Sequence, residues 1–188
     1  MEKLFFYDLE TTGTKFWKNG IHQISGAIVI DGVVKERFNF KVCPNSSAVI
    51  EEDALKVANV SFELIMSYPP MNDVYKQIIT MLSKYVDKFN KKDKFHLIGY
   101  NNASFDNLFF RAFFVQNNDN YFGSWFWSDS IDVMVLASHK LMKVRNKMTD
   151  FKQSTVAQYI GIEVDESKLH DAEYDIDICM KIFNFVRS

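Results

Sequence analysis

Three short stretches of this chain carry residue types that metal-assisted or acid–base chemistry requires. The first is Asp8-Leu9-Glu10, inside Tyr7-Asp8-Leu9-Glu10-Thr11-Thr12-Gly13. Lys3–Asp8 reads as a buried strand, and side chains two apart on a strand point to the same face. Asp8 and Glu10 therefore project together while Leu9 turns to the core. Two carboxylates so close repel unless a cation lies between them, and hard oxygens at this spacing suit Mg²⁺ or Mn²⁺. A strand end that simply meets water would carry the same acids. The second stretch is Asn102-Ala103-Ser104-Phe105-Asp106. Ser104 predicts a helix N-cap, which puts Asp106 in the first turn, where the helix dipole favours negative charge with or without any chemistry. The third is His170-Asp171-Ala172-Glu173-Tyr174-Asp175. His170 is expected on the loop entering the last helix, and Asp175 one turn inside, on the face of Ala172 and Cys179. An acid on that mainly apolar face is expensive to bury unless something positive meets it. Asp171, Glu173 and Asp177 read as a cap and a solvated flank.

The elements that must position these residues are legible from the hydrophobic pattern. His22–Ile30 and Val33–Val42 read as strands around Asp31-Gly32, a strong two-residue hairpin signal. Helical pieces follow at Glu51–Val57 and Ser61–Ser67. Val74, Ile78, Ile79, Leu82, Val86 and Phe89 then mark one helical face. Phe95–Tyr100 and Ser130–Val133 read as two more strands, and Ser104–Phe114, Met134–Met142, Gln153–Ile160 and Ala172–Val186 as helices. Strands first pair as an antiparallel meander and then alternate with helices, which predicts a three-layer α/β domain on a mixed five-stranded sheet flanked by helices.

The 188 residues, 47% hydrophobic and 24% charged, are the size of one globular domain. A chain this long buries roughly 70% of the surface its unfolded form exposes and needs no disulfide staple. With Cys43 and Cys179 at no metal-binding spacing, both are expected as small core residues in a reducing compartment. No stretch approaches a membrane span and the N-terminus lacks a secretory pattern, so a cytoplasmic protein is expected. A net charge of −2 leaves no global field to steer a polyanion. Any nucleic-acid role must therefore rest on metal ions or a local patch.

Taken in order, Asp-x-Glu-Thr-Thr-Gly, Asn-x-x-Phe-Asp and His-x-Ala-x-x-Asp resemble the DnaQ-like superfamily of 3′–5′ exonucleases, in its DEDDh group. Proofreading subunits of bacterial DNA polymerases, RNase T and oligoribonuclease belong to it. The resemblance runs from Lys3 to Val186 and includes Ile21–Ala27 and Ser130-Ile131-Asp132. It implies an RNase H-like fold in a single exonuclease domain over residues 1–188, and hydrolysis of single-stranded DNA or RNA from the 3′ end, DNA slightly favoured, releasing 5′-mononucleotides. It implies two divalent cations, Mg²⁺ or Mn²⁺, held by Asp8, Glu10, Asp106 and Asp175. Asp8 would bridge them, and His170, five residues before Asp175, would be the general base. Thr11, Thr12, Gly13, Phe16, Asn102 and Phe105 would line the site of the terminal nucleotide. The chain departs from proofreading relatives at Asn101, where they often carry His, and at Ser25, often an acid. With no tail after the final helix, a stand-alone enzyme is expected over a polymerase subunit; a polymerase or homodimer partner is not readable.

Further candidates lie outside the motifs. Phe16 and Trp17, and Trp125 and Trp127, are placed to stack on bases or to serve the core. Lys140, Lys143, Arg145 and Lys147 form a basic stretch available for phosphate. His22, His96 and His139 read as structural or surface residues, and Asn90–Lys94 as a solvated turn. The rival to an exonuclease is a non-catalytic module of the same fold that binds nucleic-acid 3′ ends.

Overall fold

The computed structural model describes residues 1–169 and 172–188. Five strands, β1 (Lys3–Thr11), β2 (Ile21–Ile30), β3 (Val33–Lys41), β4 (His96–Gly99) and β5 (Ile131–Asp132), form one sheet in the order β3-β2-β1-β4-β5. β1–β2 and β2–β3 pair antiparallel, whereas β1–β4 and β4–β5 pair parallel. The mixed sheet is the expected one, and its two halves differ because a two-residue turn suffices for the first and helical crossovers are needed for the second. At that turn Asp31 and Gly32 both take positive φ, 48° and 78°, the conformation whose twist matches a tight hairpin.

The α-helices of the described residues are α1 (Glu52–Val57), α2 (Phe62–Met66), α3 (Met71–Ser83), α4 (Asp106–Gln116), α5 (Val133–Lys140), α6 (Gln153–Tyr159) and α7 (Ala172–Arg187), and α3 to α7 pack against the two faces of the sheet. Alternation along β1 sorts the core. Phe5, Tyr7 and Leu9 face one cluster with Val74, Ile78 and Leu82 of α3 and Phe109, Phe110, Phe113 and Phe114 of α4. Leu4 and Phe6 face the other, with Val133 and Ala137 of α5, Val156 of α6 and Ile176, Cys179, Ile182 and Phe183 of α7. The parity of the second face continues through Asp8 and Glu10, so its apolar row ends where the acids begin.

The aromatic richness is spent on the first cluster. Phe110 lies against Phe5, Tyr7, Phe114, Phe122 and Phe126 with ring centroids 5.3–6.0 Å apart, distances at which rings attract beyond simple burial. Phe110→Ala is expected to cost about 3–5 kcal/mol through lost burial and the cavity left behind, measured as a lower midpoint of urea unfolding.

Three local expectations are corrected. The helical face does not run to Phe89: α3 ends at Ser83, Val86 is buried from the following loop, and Phe89 is 85% exposed. Ser104 does not cap α4; its hydroxyl donates to Asn101 Oδ1 at 3.2 Å, and Phe105 precedes the helix without a side-chain cap. Trp125, at 2% exposure, belongs to the core and offers no stacking face. Among the described residues no helix is long and apolar enough to cross a membrane, and both cysteines are free, Cys179 buried and Cys43 half-buried.

Candidate active site

The C-terminal end of β1 delivers Asp8 and Glu10 to the α7 side of the sheet. Their partners on β2 are Ser25 and Gln23, and the register slips between Glu10 and Thr11. The β4–α4 connection carries Asn102 and Asp106, and α7 carries Asp175. These acids share one electrostatic neighbourhood. Burial pushes the Asp8 carboxyl well above its ordinary range, and the charges of Asp106, Glu10 and Asp175 push it further. Burial and then Asp175 raise Glu10 to about 7, against the pull of Lys41. Asp106 is also raised to about 7, first by burial, although its own and Leu9's backbone amides favour its charge. Desolvation therefore outweighs the helix N-terminus, and the expected dipole benefit does not decide its ionisation. The Leu9 amide favours the charge of both Asp8 and Asp106, which places the two carboxyls about one peptide unit.

Cys179 lies beneath them. Burial raises its thiol far out of the physiological range, helped by Asp8, Asp132, Asp106 and Asp175. It is a neutral floor for the acids, one helical turn from Asp175 on α7.

The structure thus brings Asp8, Glu10, Asp106 and Asp175 together. Yet no group of three or more His, Cys, Asp or Glu among the described residues is set to hold a metal ion. As a donor set the four acids fit a hard divalent cation: all oxygen, with three of the four raised above ordinary carboxylates by burial and neighbouring acids. His170 and Asp171 lie outside the described residues.

The nucleotide-site candidates divide. Thr12 is fully buried, donating its hydroxyl to Val49 O at 2.9 Å and accepting from Gly20 N at 2.9 Å. It bolts the loop after β1 to the segment before α1. Thr11 donates to Gly13 O at 2.8 Å. Gly13 packs against Asn19, whose side chain would stand 2.3 Å from any Cβ, and Asn19 donates to Val49 O at 2.8 Å. Phe16 is half-buried and meets Trp17 edge-on at 5.1 Å; Trp17 is 72% exposed. Asn102 is fully buried beside the Tyr7 hydroxyl, which donates to Asn107. Its carboxamide favours the charged form of the Tyr7 hydroxyl through a side-chain interaction and has no further hydrogen-bond partner among the described residues. Phe105 meets Phe109 at a tilted 49° with ring centroids 5.0 Å apart.

Of the histidines read as structural, His22 is buried and pushed down to about 4 by burial and then Lys41. His96 is half-buried against Trp127, and His139 is exposed. Lys140, Lys143, Arg145 and Lys147 are exposed on α5 and the short helix after it.

The roles of two residues escaped the sequence reading. Asp132 is buried and accepts from Asn101 N at 2.9 Å, Ala103 N at 3.3 Å and Met134 N at 2.9 Å. One carboxylate caps α5 and pins the loop that presents Asn102 and Asp106. Asp132→Ala is expected to lower stability by about 2 kcal/mol. It is also expected to lower turnover at least tenfold by releasing that loop, read from thermal unfolding and single-turnover rates. Lys41 donates to Gln23 Oε1. The pairings Glu10–Gln23 and Gln23–Lys41 set it two strands from Glu10 on the same face, a relation visible only once the register is known.

A family match defines the class, an exonuclease domain of the DnaQ-like superfamily. The chain belongs to the RNase T exonuclease family, whose model, described as "Exonuclease", matches residues 5–183. A curated relative is the DNA polymerase III PolC-type of Mycoplasmopsis pulmonis (strain UAB CTIP), 24% identical over 178 residues, 94% of this chain and 11% of that protein. Among solved structures, E. coli exonuclease I in complex with a dT13 oligonucleotide superposes with a TM-score of 0.80 at 18% identity, over 100% of this chain and 41% of that one. The zinc-bound E. coli exonuclease I–ssDNA complex gives 0.80 at 19%, over 100% and 40%. These likenesses show the fold. The chain spans about a tenth of the curated relative and about two fifths of the solved ones.

Proposed function

We propose that residues 1–188 form a single metal-dependent exonuclease unit that shortens single-stranded nucleic acid from its 3′ end, DNA favoured over RNA, and releases 5′-mononucleotides. The observation that carries this reading is the surplus of negative charge. Asp8, Glu10, Asp106 and Asp175 crowd one neighbourhood, and three of them are raised far above ordinary carboxylates. Such a cluster is costly for a fold unless divalent cations neutralise it. The DNA-polymerase relative and the oligonucleotide-bound neighbours support a DNA substrate.

Asp8, Glu10, Asp106 and Asp175 would hold two ions, Mg²⁺ or Mn²⁺. When bound, these supply Lewis-acid stabilisation of the attacked phosphate and the departing 3′-oxygen. The rest falls to the chain's own groups. His170 takes the proton from the attacking water. Thr11, Thr12 and Gly13, with Phe16, Asn102 and Phe105, seat the terminal nucleotide. Because Thr12's hydroxyl is already engaged, its part is to hold the loop's backbone in place. Asp132 keeps Asp106 in register, and Lys41 tempers the repulsion at Glu10.

The test is degradation of 5′-labelled single-stranded DNA and RNA with Mg²⁺, Mn²⁺ or EDTA. A ladder shortening from the 3′ end with metal, and none with EDTA, is expected. Binding without shortening under every metal would replace this reading by a non-catalytic 3′-end-binding module. With metal saturating at every pH, the rate should rise with pH through the neutral range if His170 is the base, and His170→Ala should lose that part of the rise. A flat profile from pH 6 to 9 would remove His170 as the base.

A further inference from the structure

At the far end of α4 from Asp106 lies a cavity of about 590 Å³, whose lining includes Tyr75, Lys88, Phe89, Lys91, Tyr121 and Trp125. Asn117, just past the end of α4, is on its wall. At about 1.5 Å per helical residue it lies roughly 16 Å from the acids. Phe89 and Tyr121 are 85% and 74% exposed. Two large exposed rings lie together beside one concave surface, whereas most of the chain's phenylalanines are buried in the core.

Positive charge accompanies the rings. The Lys88 ammonium stands 5.3 Å from the Phe89 ring centroid and 5.9 Å from that of Trp125. No acid among the described residues pairs with Lys88 or Lys91. The stretch Lys84–Lys94 holds five lysines against two aspartates, in a chain of net charge −2. The carboxylate in the cavity, Asp119, is engaged by the Tyr75 hydroxyl and by Tyr121 N at 2.6 Å.

From these observations we infer that this cavity is a second nucleotide-binding site, separate from the acid cluster, in which a base stacks on Phe89 and Tyr121 while its phosphate meets Lys88 and Lys91. Aromatic faces accept any base and ammonium groups accept phosphate, a combination that binds nucleotides with little sequence preference. The shared chemistry, an aromatic base carrying a 5′-phosphate, is offered by a free mononucleotide and by a passing single strand.

Isothermal titration in EDTA tests the site without catalysis or metal-held phosphate, and the ring and lysine variants, far from the acid cluster, separate its binding from any at the proposed exonuclease site. Adenosine 5′-monophosphate is expected to bind about tenfold or more tightly than ribose 5-phosphate. The double variant Phe89→Ala/Tyr121→Ala should erase that advantage; both side chains are exposed, so the fold is retained. Lys88→Gln/Lys91→Gln should weaken both ligands. A twelve-residue oligothymidylate distinguishes the sources: loss of its affinity in the ring variant points to a strand, and loss confined to the mononucleotide points to free nucleotide. Equal binding of adenosine 5′-monophosphate and ribose 5-phosphate, or base-dependent binding untouched by the ring variant, would overturn the proposal.

Discussion

Asp8→Asn is expected to lower turnover by about a thousandfold or more while making the metal-free protein more stable. The two effects have one cause. Asp8 is raised well above its ordinary ionisation by burial, then by Asp106, Glu10 and Asp175. An amide of the same shape takes one of the mutually repelling acids out of the cluster, so the metal-free protein gains stability at pH 8. The same change removes the proposed bridging ligand, and each 1.36 kcal/mol lost from transition-state stabilisation is tenfold in rate. A structural aspartate at a strand end would behave oppositely, losing stability and keeping activity. Chemical denaturation and single-turnover degradation of the same preparation separate the two.

Mg²⁺ is expected to raise the unfolding temperature at pH 8 by about 5–10 °C, and by at most about 2 °C at pH 5. Glu10 and Asp106 are raised to about 7, so in the metal-free chain they hold protons at pH 5 and release them as pH approaches 8. A raised carboxyl binds more protons folded than unfolded. Its contribution to stability is therefore full below the unfolded value near 4 and is lost as pH rises through about 7. Cations compete with those protons for the same oxygens, so they restore at pH 8 what deprotonation removes. At a hundredfold excess over Kd the gain is about 2.7 kcal/mol, and a domain of this size shifts about 2–4 °C per kcal/mol. His22, pushed down to about 4, works in the other direction between about 4 and 6.5, because its unfolded imidazole takes the proton more readily. Comparing each pH with and without the ion cancels it. An equal metal effect at both pH values would place the ion away from these acids.

The sheet was legible because its signals are local. Asp31-Gly32 between two alternating runs admits little besides a hairpin, and Leu9 between Asp8 and Glu10 fixes which way each side chain points. The four acids were legible as a set only through the resemblance of their motifs, since each motif alone also fits a strand end or a helix start. What sequence reasoning missed is tertiary. Val86 falls in helical register and is buried, yet it is reached by a loop, so apolar spacing alone overextended α3 to Phe89. Ser104 has the chemistry of a cap, but the loop before it is pinned by Asp132 from another strand, and its hydroxyl turns back to Asn101. Asp132 itself stands in cap position before α5; its reach to the amides of Asn101 and Ala103 depends on β4 and β5 lying side by side. Trp125 was a stacking candidate by composition, and only packing against the phenylalanine cluster shows that its face is taken.

In the proposed function, residues far apart along the chain, Asp8, Glu10, Asp106 and Asp175, converge to hold two divalent cations. Anomalous diffraction from crystals soaked in Mn²⁺ with a 5′-mononucleotide tests that convergence. Two manganese peaks ligated by these four carboxylates are predicted. Well-ordered carboxylates with no peak among them would contradict the account.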